Sequence, residues 1–182
     1  MNVVAGQLPG VKIIEPAVFG DARGFFLESW NRARYTAAGL DVDFVQDNLS
    51  FSAQGILRGL HFQNPNPQGK LVQVLQGEVL DVIVDLRRSS PQFGQWEAVT
   101  LSAENKRQVY VPPGCAHGFA VVSPNALFHY KCTTFYSPKD ELTLLWNDPD
   151  LGIRWPLTHP QLSAKDQKGL RLRDLPPDRL FN

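Results

Sequence analysis

Residues 71–86 read LVQVLQGEVLDVIVDL, and their side chains alternate with a period of two. In the first half Val72 and Val74 stand against Gln73 and Leu75, and Gln76-Gly77 turns the chain. Beyond the turn Leu80, Val82, Val84 and Leu86 share one face, while Asp81, Ile83 and Asp85 share the other. A strand exposed on one side, or facing a pocket, carries this pattern. Outward from it the same signal recurs in short runs: 96–101, 107–111, 119–122, 127–135 and 141–146 downstream, 12–15 and 24–30 upstream. Fourteen glycines and fourteen prolines punctuate them. Many short strands without a regular alternation of strand and helix argue for an all-β sandwich or barrel. Short helices are expected at 31–38, closed by Gly39, and within 160–169. The absence of a linker or repeat points to one domain over 1–182, with the segment from about 147 packing against the barrel.

Composition narrows the function. The chain has 182 residues, of which 43% are hydrophobic, enough for one core. Eighteen basic and eighteen acidic residues cancel, so no charge excess draws it to nucleic acid or an anionic membrane. No apolar run approaches the length of a membrane span, and the N-terminus lacks a basic leader with an apolar stretch. Cys115 and Cys132 form no CxxC pair and are expected as reduced thiols in a cytoplasmic protein.

The polar residues cluster in two places. GILRGLHFQNPNPQGKL, 55–71, sets Arg58, His61 and Lys70 around a Gly/Pro-rich turn, and VPPGCAHGF, 111–119, sets His117 at a second turn. A neutral imidazole takes a proton near neutral pH, and an ammonium stabilises an enolate oxygen. Arg23, Arg58 and Arg107 suit phosphate or carboxylate. Tyr130 is either a packed strand residue or a phenolic proton donor, with His129 pointing the opposite way. Asp166 either orients an imidazole or caps a short helix opened by Ser163. A metal reading would need His61, Glu78 and His117 together, but the chain has no HxH pair.

These residues lie in an ordered series of motifs: FGDARGFFLES (19–29), VQDNLS (45–50), ILRGLHFQ (56–63), QGKLVQVLQGEVLDVIVDLRRSSPQFGQW (68–96), LSAENKRQVYVPPGCAHGF (101–119), YKCTTFYSP (130–138), WNDPDLGIRWP (146–156) and LSAKDQKG (162–169). Over roughly 10–170 the series resembles the dTDP-4-dehydrorhamnose 3,5-epimerases, the RmlC-type nucleotide-sugar epimerases of dTDP-rhamnose biosynthesis. The resemblance implies a cupin-like double-stranded β-helix, or jelly roll, with short flanking helices. It implies a homodimer with strand exchange, for which 12–15 is the candidate strand, and no metal or redox cofactor. The implied substrate is dTDP-4-dehydro-6-deoxy-D-glucose and the product dTDP-4-dehydro-L-rhamnose. By the same resemblance His61 is the base, Asp166 its partner, Lys70 the enolate stabiliser and Tyr130 the acid. His117 supports the pocket. Arg23, Glu28, Gln46, Asn48 and Arg58 bind the nucleotide or its diphosphate, some across the dimer, and Phe19, Phe26 and Tyr136 supply aromatic surface.

Three departures stand out. The family's NHS element is NLS here, placing Leu49 where a histidine is usual. Cys115 replaces an aromatic residue, and ELTLLWNDP replaces an ERGIRWNDP-like segment. The first two are expected to alter pocket packing. They keep open a mono-epimerase acting at C3 or C5 of a related deoxysugar, with a non-catalytic sugar-binding β-barrel and a metal-dependent cupin as readings from other classes.

Overall fold

A computed structural model describes residues 1–182. Thirteen strands and one helix follow in order: β1 (Asn2–Ala5), β2 (Lys12–Glu15), β3 (Val18–Asp21), β4 (Gly24–Leu27), α1 (Arg32–Ala37), β5 (Gln46–Ala53), β6 (Leu57–Gln63), β7 (Lys70–Gln76), β8 (Glu78–Asp85), β9 (Trp96–Ser102), β10 (Gln108–Val111), β11 (Cys115–Val121), β12 (Asn125–Cys132) and β13 (Glu141–Thr143). Two antiparallel sheets, ordered β1-β2-β10-β7-β12-β5 and β13-β6-β11-β8-β9, make the double-stranded β-helix, and β3-β4 is a separate hairpin. No helix is long and apolar enough to cross a membrane.

The alternation at 71–86 becomes two strands that do not pair with each other. β7 lies in the first sheet and β8 in the second. Gly77, at φ +76°, carries the chain between them, where any side chain would run into the Asn125 carbonyl. Val72, Val74, Val79 and Ile83 enter the core between the sheets, with Val109, Val111, Phe119 and Phe128. The opposite face of β8 is not left to solvent. Val82, Val84 and Leu86 pack with Leu60, Phe62, Leu144, Leu151 and Leu175, and against Trp155, Leu172 and Phe181. The C-terminal segment thus covers the outside of the second sheet, which is why the Leu80, Val82, Val84 and Leu86 face of β8 is apolar rather than exposed. A third cluster, Ile14, Tyr35, Leu40, Leu71 and Tyr110, seats α1 on the outside of the first sheet.

Several expectations change. The run at 24–30 is strand only to Leu27, within a hairpin. The helix at 31–38 forms as α1, with Asn31 Oδ1 accepting from Arg34 N–H at 3.2 Å as its N-cap. The 160–169 segment yields only a 3-10 turn, Asp166–Lys168. The strand at 12–15, expected to be exchanged across a dimer, is held on both sides by β1 and β10. β1 and β5, not β2, are the free edges of that sheet.

Candidate active site

Arg58 and His61 do not flank a turn; both stand on β6, and the Gly/Pro-rich turn comes after them. Strict alternation would send residues three apart to opposite faces. The β6-β11 register shows why they share one. Phe119 pairs with Arg58 and His117 pairs with His61, so between these pairs the single residue Gly118 of β11 opposes two of β6, Gly59 and Leu60. The irregularity is a bulge at Gly59, φ +119°, where a Cβ would lie 2.7 Å from the Gly118 Cα. His117, likewise, is in β11 rather than at the turn, directly across from His61.

These strands open onto a cavity of about 380 Å³ lined by His61, Lys70, His117, Tyr130, Arg58, Gln46, Asn48 and Tyr136. Asp166 completes it from the C-terminal segment, its carboxylate Oδ1 2.5 Å from His61 Nε2. The Ser163 hydroxyl accepts from the Asp166 N–H at 3.1 Å, so Ser163 caps the turn and the Asp166 side chain is left for the histidine. Burial raises the Asp166 carboxyl, but hydrogen bonds from His61 and Ser163 and the His61 charge outweigh it and hold the pKa below normal. Asp166 is therefore an acceptor, which puts the proton on His61 Nε2 and the free lone pair on Nδ1. A second pair lies deeper. His117 Nε2 is 2.7 Å from Asp81 Oδ2, and both side chains are buried. Burial drives the Asp81 pKa up, and His117 and Lys70 oppose it.

Lys70 opens β7 opposite Cys132 on β12. Burial lowers its pKa, and Cys132, Glu141 and Asp81 act against that through space. Burial raises Tyr130 as well, with Cys132 and Glu141 adding to it, so the phenol keeps its proton. Tyr136 N–H donates to Gln46 Oε1 at 2.9 Å, and Gln46 Nε2 donates to Asn48 Oδ1 at 3.0 Å, a continuous polar wall. Arg58 is steadied by Ser52 Oγ at 2.9 Å.

Four expected residues are not in this cavity. Phe19, Arg23 and Phe26 lie on the β3-β4 hairpin, where Phe19 is 65% and Phe26 69% exposed, around a separate hollow. Glu28 binds Asn31 at 3.1 Å and Arg34 at 3.4 Å. Conversely, the cavity contains Glu141 and Lys165, which the sequence reading passed over. Glu141 Oε2 accepts from Lys165 Nζ at 2.7 Å and from the Tyr136 hydroxyl at 2.8 Å. A signal for Lys165 existed: it adjoins Asp166, and whatever brings the one to His61 brings the other to the cavity. Glu141 opens the ELTLLWNDP segment, where this chain departs from the family pattern but keeps its first residue, and that was the signal for it. Two departures prove remote. Leu49 is on the outer face of β5, 62% exposed, and Cys115 is a core thiol whose pKa burial pushes up to about 12. Neither lines the cavity. The metal trio is not assembled either, because Glu78 opens β8 well before Ile83, the residue opposite His117.

A histidine–aspartate pair, a protonated phenol and a half-buried lysine around one cavity fit a proton transfer next to a carbonyl. A family model described as dTDP-4-dehydrorhamnose 3,5-epimerase matches residues 5–174. The chain belongs to this family. It is 57% identical over 176 residues to the dTDP-4-dehydrorhamnose 3,5-epimerase of Pseudomonas aeruginosa, covering 96% of this chain and 97% of that one. It is 53% identical, with the same coverage, to that of Shigella flexneri. Among solved structures it is similar to the RmlC epimerase of Legionella pneumophila in complex with dTDP-4-keto-L-rhamnose. That match has TM-score 0.96 and 50% identity, covering 99% of this chain and 97% of the other. This is therefore an isomerase of nucleotide sugars, and the family's β-helix is the fold described above.

Proposed function

We propose a division of labour for the reaction this chain catalyses, epimerisation at C3 and C5 of dTDP-4-keto-6-deoxyglucose to dTDP-4-keto-L-rhamnose. The C4 ketone acidifies the protons on both neighbouring carbons. His61, held by Asp166, takes the C–H proton on Nδ1, and the electron pair left behind moves onto the C4 oxygen. Lys70 stabilises that enolate oxygen as its charge develops. Tyr130 returns a proton to carbon from the opposite ring face, which produces inversion; one group acting on one face would restore the starting centre. Imidazolium and phenolate then reset by exchange with solvent. His117, fixed by Asp81, supports the carbonyl end of the pocket. Gln46, Asn48 and Arg58 hold the nucleotide diphosphate, and Tyr136 offers a face to the thymine. The observation that carries this reading is the convergence of His61–Asp166, Lys70 and Tyr130 on one cavity.

The chain works as a homodimer in this account. Leu49, Phe51 and Leu75 leave an apolar strip on the outer face of the first sheet, and the β3-β4 hairpin projects Phe19, Arg23 and Phe26 away from its own cavity. A second copy on that face would receive these side chains, with Glu28, at its nucleotide end. Residues 1–182 act as one catalytic unit, since the segment from 147 supplies Asp166 and Lys165, and the enzyme works in the cytoplasm. Incubation with dTDP-4-keto-6-deoxyglucose in D₂O, followed by NMR, tests the chemistry. Deuterium and inversion at both C3 and C5 are expected, and neither with His61→Ala. Exchange at one carbon alone would mark a mono-epimerase, and exchange at neither would end the proposal.

A further inference from the structure

Outside the cavity a polar array is built on the outer face of the first sheet. Gln108 of β10, Gln73 of β7 and His129 of β12 are direct cross-strand partners in successive strands. Their side chains bond in sequence. Gln108 Nε2 donates to the Ser29 carbonyl at 2.7 Å and to Gln73 Oε1 at 2.9 Å, and Gln73 Nε2 lies 3.0 Å from His129 Nδ1. The Tyr35 hydroxyl sits 2.7 Å from Gln108 Oε1 and 3.0 Å from the same Ser29 carbonyl. Gln108 and Tyr35 are both buried.

The direction of this array is not free. A peptide carbonyl only accepts, so Gln108 must turn its NH₂ to Ser29. Its second N–H then meets Gln73, which must present Oε1. Gln73 in turn presents NH₂ to His129, whose Nδ1 must be the lone pair. His129 is thereby held neutral, with its proton on Nε2, 3.9 Å from Asp47 Oδ2. The next cross-strand residue is Leu49, which cannot continue the array. An imidazolium would set N–H against N–H at Gln73. The charged groups around His129 are Asp47 on β5, Lys131 on its own strand, and Lys106 across the shared cleft.

The anchored end explains the arrangement. Ser29 follows the β3-β4 hairpin and adjoins Glu28. In the same cleft Lys106 Nζ sits 4.5 Å from the Phe25 ring centroid, a second tie on the hairpin. We propose that Gln108 and Gln73 are positioning residues which, through the Ser29 carbonyl, fix the height and direction of the β3-β4 hairpin as a nucleotide-binding arm, and that a proton on His129 releases it. This rests on the reading that the hairpin serves a partner subunit.

Two measurements test it. The first is ¹⁵N NMR of the His129 ring in the whole enzyme: Nδ1 unprotonated at neutral pH is expected, and an Nδ1–H tautomer would refute the array outright. The second is kinetics of Gln108→Leu and Gln73→Glu, the latter turning a carboxylate oxygen towards His129 Nδ1 and so demanding a proton there. For Gln108→Leu KM should rise about tenfold, the worth of one well-placed buried hydrogen bond, with kcat nearly unchanged. In Gln73→Glu the two carboxylate oxygens accept from Gln108 and from a protonated His129, so KM should stay at the parent value at neutral pH and lose the rise that the parent shows as His129 takes up its proton. Gln73→Glu should also carry the His129 proton on Nδ1. Loss of thermal stability with an unchanged KM in folded Gln108→Leu would reduce the array to a structural role and overturn the proposal, and so would a KM in Gln73→Glu that rises with falling pH as steeply as the parent's. Sedimentation separates the two ideas. An active monomer would sink the partner-subunit reading, while the His129 tautomer still tests the array.

Discussion

At the scale of single residues, the chemistry depends on two protons being held differently. Tyr130 keeps its proton because burial disfavours the phenolate. Tyr130→Phe should lower kcat for inversion by about 10²–10⁴ while His61 still exchanges protons with solvent, read as deuterium uptake without a change of configuration. Full inversion in that variant would remove Tyr130 as the acid. Asp166 contributes in the other direction. Its folded pKa lies below the ordinary 3.8, so its contribution to stability is complete above that value and is lost as pH falls through the lower, folded one. Asp166→Asn, which still accepts from His61, should flatten this part of the acid-unfolding curve. An acid limb identical to that of the parent would show that the pair does not couple to folding.

At the scale of elements, the bulge in β6 is what makes a site. It turns Arg58 and His61 to the same face, and it exists because Gly59 lies against Gly118 and the His117 carbonyl. Gly59→Ala should cost roughly 1–3 kcal/mol or more, from overpacking and a disfavoured positive φ, visible in denaturant unfolding. Activity should fall further than stability accounts for, since β6 must move away from β11. A Gly59→Ala protein with normal activity would mean that the bulge tolerates a side chain. The element boundaries show what was legible in the residues. β7 and β8 announced themselves by alternation, and α1 by a run at 31–38 almost free of β-branched residues and closed by Gly39. β6 did not, because Gly55, Gly59 and the proline-rich turn behind it read as loop, and a bulge interrupts the period that would have betrayed a strand.

At the scale of the whole molecule, the outer face of the first sheet remains to be covered. Phe51 is 61% exposed beside Leu49 on a free sheet edge. Phe51→Glu should shift the enzyme towards monomer in sedimentation and raise KM for the nucleotide sugar, because the hairpin would no longer meet its pocket. A dimer of unchanged strength would direct attention to another face.

The strand-rich fold and the candidate residues His61, Tyr130 and the arginines could be read from residue order, while the roles proposed for them came only with the family resemblance. They rest on local alternation, on turn chemistry and on short motifs whose residues are neighbours in sequence. Folding alone settled which of them meet. Asp166 reaches His61 across 105 positions, and Glu141 and Lys165 arrive with their own strand and turn. Leu49 and Cys115, suspected of reshaping the pocket, fall on the far face of a strand and in the core. Which face a residue takes depends on register and bulges, and these follow from the packing of whole sheets. Residues 71–86 show the same limit. Their alternation marked two strands correctly, but only the packed molecule shows that they belong to different sheets and that the C-terminal segment buries the face left over.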